Sequence, residues 1–320
     1  MEKVDLSIII PMFNEEEVID ETIKSVTAEL DSLNLNWEII LVNDGSTDNT
    51  LDLCRQASVR DDRVKIVSYS PNRGRGYALR QGFNTASGDI VISIDADLTY
   101  SSDHISLLWN EMKKNESDIV LGSAYMKGGK VINVPLKRIL ISRLGNFILG
   151  LSFPGKIKTI TCVLRGYRKE VIDSLELESD DKDIHLEILA KAISVGFRIK
   201  EIPAVLKGRK KGKSKFKFKA TSISHLAFSF YQKPMIIFGI VGLIMVLSGF
   251  VLGIIFIIQR YMGTLNPTRP IFLLMILLLL AGIQMLSFGF IANQVGNLKK
   301  EIYKLQKESK TLSRFLKKSE

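Results

Sequence analysis

The chain has 320 residues, of which 46% are hydrophobic and 24% charged, with a formal net charge of +10 at pH 7. This length predicts one large α/β domain with an accessory part, and the apolar content excludes a mainly disordered chain. The two cysteines, Cys54 and Cys162, form no CxxC pair, which excludes a structural zinc site and a disulfide scaffold. Residues 1–10 lack the features of a signal peptide, so we expect the first domain in the cytosol.

Residues 1–122 alternate between short apolar runs and helical patterns. The uninterrupted runs, rich in Ile and Val, predict strands buried on both faces, at Leu6–Ile10, Glu38–Val42, Val64–Ser68, Ile90–Ile94 and Asp118–Leu121. Helical patterns lie between them, at about residues 15–33, 48–60, 75–87 and 102–115. This alternation predicts a doubly wound, mainly parallel α/β sheet, in which ligands bind at the carboxyl ends of the strands.

Polar clusters follow the first, second and fourth predicted strands, as PMFNEEE at 11–17, NDGSTDNT at 43–50 and DADLTYSSD at 95–103. We expect all three at one edge of the sheet, which favours a binding site over unrelated acidic turns. In the third cluster, Asp95 and Asp97 offer hard oxygen ligands that suit Mg²⁺ or Mn²⁺ holding a diphosphate. A glycosidase pair is disfavoured, because its carboxyl groups face each other about 5–10 Å apart across a sugar.

Two further segments carry groups suited to a nucleotide. Asp44 lies in a turn where its carboxylate can accept hydrogen bonds from a base or ribose, although Ser46 or Thr47 can instead cap the next helix. In NRGRGYALRQG, Arg73 and Arg75 open a helix from a glycine-flanked turn that suits an anion; the alternative is a solvated turn. Dehydrogenase and P-loop NTPase functions have no support, because the sequence contains neither GxGxxG nor GxxxxGK[ST].

The second half changes from a folded-domain pattern to a membrane pattern. LEILAKAISVGFRIKEIPAV predicts a helix, a turn at Gly196 and a strand. Lys207–Lys219 is basic without acidic residues, and residues 216–233 then predict an interfacial amphipathic helix. Charge-free spans at about 235–258 and 271–292 are each long enough to cross a bilayer. Because basic segments flank the pair, we expect a membrane hairpin with both termini in the cytoplasm.

The C-terminal segment repeats apolar residues at alternating steps of four and three, with Ser309 in one slot: Ile291, Val295, Leu298, Ile302, Leu305, Leu312 and Leu316. One interpretation is a coiled coil that joins copies of the chain, and the other is a basic amphipathic helix on anionic lipid. The predicted organisation is therefore a domain at 1–215, an interfacial helix at 216–233, a membrane hairpin at 234–294 and a basic tail at 295–320.

Several segments occur in the order typical of one enzyme family: SIIIPMFNEEE, ILVNDGSTDNT, NRGRGYALRQGF, ASGDIVISIDADL, GYRKEVI and GFRIKEIPAVLKGRKKGKSKF. From residue 5 to about 216 the chain resembles the family 2 inverting glycosyltransferases of the polyprenol-phosphate type, namely dolichyl-phosphate mannose synthases and polyprenyl-phosphate glucosyltransferases. The hairpin resembles that of the bacterial, tetramer-forming branch. The resemblance implies a GT-A fold, a UDP- or GDP-linked nucleotide sugar as donor, and a polyprenyl phosphate in the membrane as acceptor.

The resemblance also implies a role for each matching residue. The nucleotide sugar would contact Pro11, Phe13, Glu15, Asp44, Ser46, Arg75 and Ala96, with Phe13 where Tyr is usual. Asp95 and Asp97 would hold Mg²⁺ or Mn²⁺ and the diphosphate, which Arg209 would cover from a loop above the membrane. In VINVPLKRILISRLGN and the basic segment, the acceptor phosphate would be held by Arg138, Ser142, Lys213 and Lys215.

Three positions depart from the family pattern. Thr99 stands where many relatives have Gln, Ala124 where Arg is frequent and Thr159 where an acidic residue is usual, whereas Arg165 of the same motif remains. These losses leave open a different donor sugar, a different way of holding the metal, or a catalytically weak membrane scaffold. A processive polysaccharide synthase is disfavoured, since neither tryptophan lies in a QxxRW motif. A nucleic-acid-binding role is disfavoured too, because the basic charge concentrates next to the membrane spans.

Overall fold

The computed structural model describes residues 3–150, 157–208, 234–264 and 270–319. The chain divides into two compact units, Met1–His225 with Tyr303–Glu320, and Leu226–Ile302. The strands of the first unit are β1 Leu6–Met12, β2 Trp37–Asp44, β3 Val64–Tyr69, β4 Ile90–Ser93, β5 Ile119–Ser123, β6 Lys130–Ile132, β7 Arg165–Arg168, β8 Ile199–Pro203 and β9 Val205–Lys207. The helices between them are α1 Ile19–Asp31, α2 Thr50–Arg60, α3 Arg75–Thr85, α4 His104–Lys113, α5 Leu136–Gly150, α6 Lys169–Ser174 and α7 Ile184–Ser194.

The central sheet has seven strands in the order β3-β2-β1-β4-β7-β5-β8. Neighbouring strands pair in parallel except at β7, which runs antiparallel to both β4 and β5. The mainly parallel, doubly wound sheet expected from the sequence is therefore confirmed, and β1 to β5 lie at the expected places. Strand β7 carries no local signal, because RGYR is short and half charged, and long-range pairing decides its state.

Strands β1 and β2 are buried along their whole length, as the continuous apolar runs predict. Their side chains pack against the apolar face of α1, which contributes Ile19, Val26 and Leu30 to the core. Near the amino end of β2, the buried carboxylate of Glu38 accepts hydrogen bonds from the hydroxyl of Ser7 (2.6 Å) and the ammonium group of Lys65 (2.5 Å). Packing and polar contacts thus hold the sheet firmly enough to fix the positions of the loops at its carboxyl edge.

A separate two-stranded sheet consists of β6 and β9, which pair in parallel. Strand β9 also forms a bridge from Leu206 to Tyr100, in the loop that follows β4. Strand β6 leads through residues 133–135 into α5. The small sheet therefore connects the loop after β4 with the start of α5.

Two long helices form the C-terminal part of the chain, α8 at Pro234–Tyr261 and α9 at Pro270–Ser319. Both contain segments long and apolar enough to cross a membrane, at Phe238–Tyr261 and Pro270–Lys310. These segments include most of the two spans expected from the sequence. Helix α9 continues without a break through the basic tail. The expected interfacial helix at 216–233 lies outside the described residues.

Candidate active site

The polar clusters expected to converge do lie at one edge of the central sheet. They follow β2, β1 and β4, which are adjacent in that order and parallel. Pairing places Met12 at the end of β1 beside Asn43 near the end of β2. Just past β4, Ile94 donates its amide hydrogen to the carbonyl of Ile9 over 3.1 Å. One sheet edge therefore carries all three loops.

The loop after β4 turns sharply and presents two carboxylates. Leu98 has a φ of +46°, and its amide donates to the carbonyl of Asp95 over 3.2 Å. The amide of Thr99 donates to Oδ1 of Asp97 over 3.1 Å, which fixes that carboxylate against its own turn. From below, the hydroxyl of Thr22 donates to the carbonyl of Ala96 over 2.6 Å. The turn is thus anchored from α1, while the Asp95 side chain stays 18% exposed.

Helix α3 begins beside this turn with a cationic side chain. The Nη2 atom of Arg75 lies 3.0 Å from Oδ1 of Asp95. Gly74, just before the helix, has a φ of +96°, and a side chain there would collide with the carbonyl of Asp180. The structure therefore brings together Arg75 and Asp95, which the sequence assigned to the donor site from separate motifs.

The acidic pair fits a hard divalent cation. The described part of the chain contains no group of three or more His, Cys, Asp or Glu side chains suited to a metal ion. Asp95 and Asp97 thus stand as two carboxylates, which suits Mg²⁺ or Mn²⁺ that takes its other ligands from water and phosphate oxygens. Zinc would require nitrogen or sulfur ligands, and this pair offers none.

Asp44 shapes the neighbouring loop. Its buried carboxylate accepts hydrogen bonds from the amides of Arg73 (2.7 Å) and Gly74 (3.0 Å) and from the side-chain amide of Asn72 (2.8 Å). Burial, followed by the nearby charge of Asp44, raises the pKa of Tyr69 far above its usual value. Asp44 therefore holds the turn from which Arg75 projects, in addition to any contact with a nucleotide.

The first two loops brace each other. The amide of Asn14 donates to the hydroxyl of Ser46 over 2.9 Å, and the amide of Thr47 donates to Oδ1 of Asn14 over 2.8 Å. The alternative role of Ser46 or Thr47 as a helix cap is wrong, because α2 begins after Asn49 with no side-chain cap. Of the other residues that the resemblance assigns to the nucleotide sugar in these loops, Pro11 is buried in β1, and Phe13 and Glu15 are partly exposed just beyond it.

A loop at residues 179–182, which no sequence motif marks, packs against the start of α3. The amide of Tyr77 donates to the carbonyl of Asp180 over 3.1 Å, and Asp180 also pairs with Arg80. Lys182 in this loop is half-buried, and its pKa is lowered first by burial and then by the charge of Arg75. We call the start of α3 and the loop at 179–182 the donor corner, because the resemblance assigns Arg75 to the donor. Lys182 is a second cation there that local patterns could not reveal, since its position depends on a contact between distant segments.

Helix α5 carries Arg138 and Ser142, the residues assigned to the acceptor phosphate. Its other face is apolar and exposed, with side chains 58 to 83% accessible at Leu136, Leu140, Leu144 and Phe147. The buried side chain of Asn146 secures the polar face, because its Oδ1 accepts from the amide of Ile160 (2.7 Å) and its Nδ2 donates to the carbonyl of Ser142 (2.8 Å). The helix is thus amphipathic with its apolar stripe turned outward.

At position 159 the structure provides a nearby carboxylate, and at position 99 it shows a backbone contact that any residue type can make. The buried Thr159 hydroxyl lies 2.5 Å from the hydroxyl of Ser123. Glu201 in turn accepts hydrogen bonds from the amides of Thr159 (2.8 Å) and Lys158 (2.9 Å), so a carboxylate is present from another strand. Thr99 contributes its carbonyl, which accepts from the amide of Lys207 over 2.8 Å. Nothing in the structure explains Ala124, which is buried.

The retained Arg165 is fully buried and organises the loop next to α5. Its guanidinium donates to the carbonyls of Cys162 (2.8 Å) and His185 (2.9 Å), and also to that of Ile160. These bonds satisfy a buried cation with backbone oxygens, so Arg165 supports the loop rather than facing a ligand. The remaining assigned residues, Arg209, Lys213 and Lys215, lie outside the described residues.

Comparison with known proteins identifies related sequences. Residues 7–176 match the family described as Glycosyl transferase family 2. A dolichol-phosphate mannosyltransferase of Pyrococcus furiosus is 37% identical over 217 residues, which span 67% of this chain and 60% of that protein. An undecaprenyl-phosphate 4-deoxy-4-formamido-L-arabinose transferase of Salmonella paratyphi A is 28% identical over 311 residues, or 93% of this chain and 90% of that one. At 93% coverage, the second match necessarily includes parts of both long helices.

Solved structures share the fold. Glucosyl-3-phosphoglycerate synthase of Mycobacterium tuberculosis, crystallised with Mn²⁺, UDP and glucosyl-3-phosphoglycerate, superposes with a TM-score of 0.56 at 20% identity. The match covers 72% of this chain and 80% of that chain. A crystal form of the same enzyme with Mg²⁺ and UDP gives the same TM-score of 0.56. At this identity the likeness establishes a GT-A-like architecture alone.

Proposed function

The chain belongs to glycosyl transferase family 2, and from that premise we propose that it transfers a sugar from a nucleotide sugar to a polyprenyl phosphate in a membrane. The donor is UDP- or GDP-linked, and the product is a polyprenyl-phosphate-linked monosaccharide of inverted configuration. Relatives whose names specify dolichol phosphate and undecaprenyl phosphate as acceptors support this class of reaction. The catalytic unit and both termini lie in the cytoplasm.

The proposal rests above all on the amphipathic character of α5, which has an exposed apolar stripe beside the residues assigned to the acceptor phosphate. Arg138 and Ser142 lie one turn apart on α5, and each follows a leucine of the apolar stripe, Leu136 or Leu140, by two residues. They therefore lie on a different side of the helix from that stripe. A phosphate with a long hydrocarbon tail requires this combination, because its head needs polar partners while its tail stays in lipid. A water-soluble acceptor would not require exposed leucines beside the phosphate-binding residues.

The reaction needs orientation more than proton transfer. A phosphate monoester has a second pKa of about 6 and is largely dianionic at pH 7, so its oxygen is already a nucleophile. Arg138 and Ser142 would aim that oxygen at the anomeric carbon, on the face opposite the nucleotide. As the new carbon–oxygen bond forms, the bond to the nucleoside diphosphate breaks and the electron pair leaves with the diphosphate.

Charge on the departing diphosphate is stabilised by cations from this chain. Arg75 lies at the acidic turn, and Arg209 directly follows β9 and Gly208 in sequence. Strand β9 is held to the loop after β4 by the amide of Lys207, which donates to the carbonyl of Thr99. Asp95 and Asp97 would hold a divalent cation, which would supply further electrostatic stabilisation of the leaving group when bound. Closing the site with Arg209 would also exclude water that could hydrolyse the donor.

A transfer assay tests the proposal. Purified full-length protein, incubated with radiolabelled nucleotide sugars and undecaprenyl or dolichyl phosphate, should form a lipid-linked sugar that requires Mg²⁺ or Mn²⁺ and is abolished by a chelator. Asp97→Asn should lower kcat by about 100-fold or more, because the developing charge loses its stabilising partner. Asp62→Asn, an exposed change before β3 at the opposite sheet edge, should leave turnover intact. Turnover with none of the donors would instead support the catalytically weak scaffold.

The proposed partners include lipid and further copies of the chain. The segments in α8 and α9 would cross the bilayer as a hairpin. In the heptad pattern of the tail, Val295 and Ile302 occupy a positions and Leu298 and Leu305 occupy d positions. Branched residues at a with Leu at d favour parallel pairs, so we expect a homo-oligomer built from dimers, with a tetramer as two such pairs.

A further inference from the structure

His104, the first residue of α4, has both ring nitrogens in hydrogen bonds although only 2% of the residue is exposed. Its Nδ1 lies 2.9 Å from the carbonyl of Ser101 and 3.1 Å from Oδ1 of Asp103, both of which are acceptors. Nδ1 therefore carries the ring hydrogen. On the other side, Nε2 accepts a hydrogen bond from the amide of Val205 over 2.9 Å. The imidazole is thus a neutral link between α4 and strand β9.

Strand β9 stands between the donor loop and the acceptor helix. On one side, the amide of Lys207 donates to the carbonyl of Thr99, two residues from Asp97, over 2.8 Å. On the other side, β9 pairs with β6 in register Lys130↔Val205, and the amide of Gly208 donates to the carbonyl of Ile132 over 2.8 Å. Strand β6 then leads into α5. Each of these backbone contacts joins the small sheet to one half of the site.

We propose that His104 is a positioning residue for sugar transfer, which sets the spacing between the carboxylate turn at 95–99 and the acceptor helix α5. The proposal rests on the function proposed above. His104 touches neither donor nor acceptor and acts through β9, the one described strand bonded both to the carboxylate turn and to the strand before α5. None of the segments that carry the family resemblance includes His104, since the one at this loop ends at Leu98.

The rate of sugar transfer depends on the distance between the acceptor phosphate and the donor sugar. In-line transfer requires the attacking oxygen and the anomeric carbon to approach within about 3–3.5 Å, and a misplacement of about 1 Å lowers the rate by roughly 100-fold. Without the imidazole, the amide of Val205 loses its acceptor, and the hydrogen bonding between β9 and the loop in the described residues is reduced to the backbone contacts at Leu206 and Lys207. Donor binding depends on the carboxylate turn itself, which Thr22 anchors independently. The expected defect is therefore in kcat.

The test compares His104→Leu and His104→Gln in the full-length protein in lipid vesicles. His104→Leu should lower kcat about 10- to 100-fold while the Kd for the metal–nucleotide complex stays nearly unchanged. Gln can place an oxygen close to the Nε2 position and accept from Val205, so His104→Gln should recover most of the rate. The control is His185→Leu, a similarly buried histidine on α7, which should reduce stability without reducing kcat per folded molecule.

Tryptic cleavage supplies a second readout that does not require turnover. The basic run at 207–219 follows β9, so cleavage within it should accelerate in His104→Leu and not in His185→Leu. A kcat that falls only with the folded fraction, or a Gln variant as slow as the Leu variant, would show that His104 serves stability alone. Wild-type protein without transferase activity would overturn the proposed function itself, whereas active wild type with unaffected variants overturns only the role of His104.

Discussion

Arg75 and Lys182 place two cations in the donor corner of the site. Lys182 is half-buried, and burial followed by the charge of Arg75 lowers its pKa. Adjacent cations repel each other, so this arrangement becomes favourable when an anion binds beside them. Because Arg75 also contacts Asp95, the diphosphate of the nucleotide sugar is the anion that this corner would receive.

Lys182→Gln is therefore expected to weaken donor binding. A hydrogen bond to a charged group contributes about 1.5–3 kcal/mol, so KM for the nucleotide sugar should rise roughly 10- to 100-fold while KM for the lipid acceptor stays unchanged. Lys24→Gln provides the control, because Lys24 is exposed on α1 and pairs with Asp20, one turn before it in the same helix. Steady-state kinetics with each substrate varied in turn measure both values. An unaltered donor KM would remove Lys182 from the site.

Thr159 and Glu201 show how a departure from the family pattern can be accommodated. The carboxylate usual at position 159 is absent, yet Glu201 accepts the amide of Thr159 and lies at the same loop. The Thr159 hydroxyl contacts Ser123 in a buried setting. Glu201 therefore places a carboxylate beside position 159, and an aspartate introduced there would lie against it.

Thr159→Asp should consequently destabilise the protein by about 2 kcal/mol or more, since two carboxylates would share a partly buried site. The double variant Thr159→Asp with Glu201→Gln should recover much of that loss, because it restores a single charge. Thermal unfolding of the detergent-solubilised protein, followed by the change in Tm, measures both effects. Additive losses of Tm in the double variant would show that the carboxylate of Glu201 does not stand in for a carboxylate at position 159.

At the scale of elements, α5 combines a polar face, which we propose binds the acceptor phosphate, with an exposed apolar stripe. The stripe belongs to a helix whose other side is secured by Asn146, so its leucines are available without distorting the domain. Burying an exposed leucine in lipid contributes about 1.5–3 kcal/mol, and a charge at the same place reverses that gain. Docking of α5 on the membrane should therefore depend on these side chains individually.

Leu140→Glu should raise KM for a long-chain polyprenyl phosphate in vesicles roughly tenfold or more, while a short-chain, water-soluble acceptor phosphate should be used as before. The matched control is Leu107→Glu, which places the same charge at a similarly exposed leucine on α4. Kinetics with both acceptors and both variants separate lipid docking from catalysis. Equal losses with the two acceptors would indicate that position 140 contributes to the site rather than to membrane contact.

The elements differ in how far the sequence predicts them. Strands β1 to β5 and the carboxylate turn were predictable because each carries a local signal, an apolar run or an acidic turn after it. Strand β7, the β6–β9 sheet and the position of His104 have no such signal, because their state depends on pairing between segments that are far apart in sequence. Lys182 falls in the same class. The sequence thus predicts the polar edge of the central sheet well and the junction between the small sheet and α5 poorly.

At the scale of the whole molecule, the tail of α9 has two distinct faces. Within the first unit, Lys310 donates to the carbonyl of Leu175 over 3.0 Å, and the ammonium group of Lys307 lies 4.1 Å from the ring centroid of Phe197. The heptad side chains lie on the opposite side of the helix, since residues advance about 100° each. They are 51 to 64% exposed at Leu298, Ile302, Leu305 and Leu312. The face of the tail that contacts the domain is therefore separate from the row of exposed heptad side chains, which we call the heptad seam.

Leu305→Cys should form a disulfide-linked dimer in membranes under mild oxidation, because d positions face each other in a parallel pair. Lys304→Cys, one residue away on the outer side of the pair, should remain monomeric, and the native Cys54 and Cys162 are both buried and give little background. Non-reducing electrophoresis distinguishes the products. Equal and weak cross-linking at both positions would favour contact of the seam with lipid. A cross-linked dimer with full transferase activity would mean that a second copy of the chain packs on the heptad side chains while the opposite face of the tail stays on the catalytic unit. Loss of activity on cross-linking would contradict this arrangement.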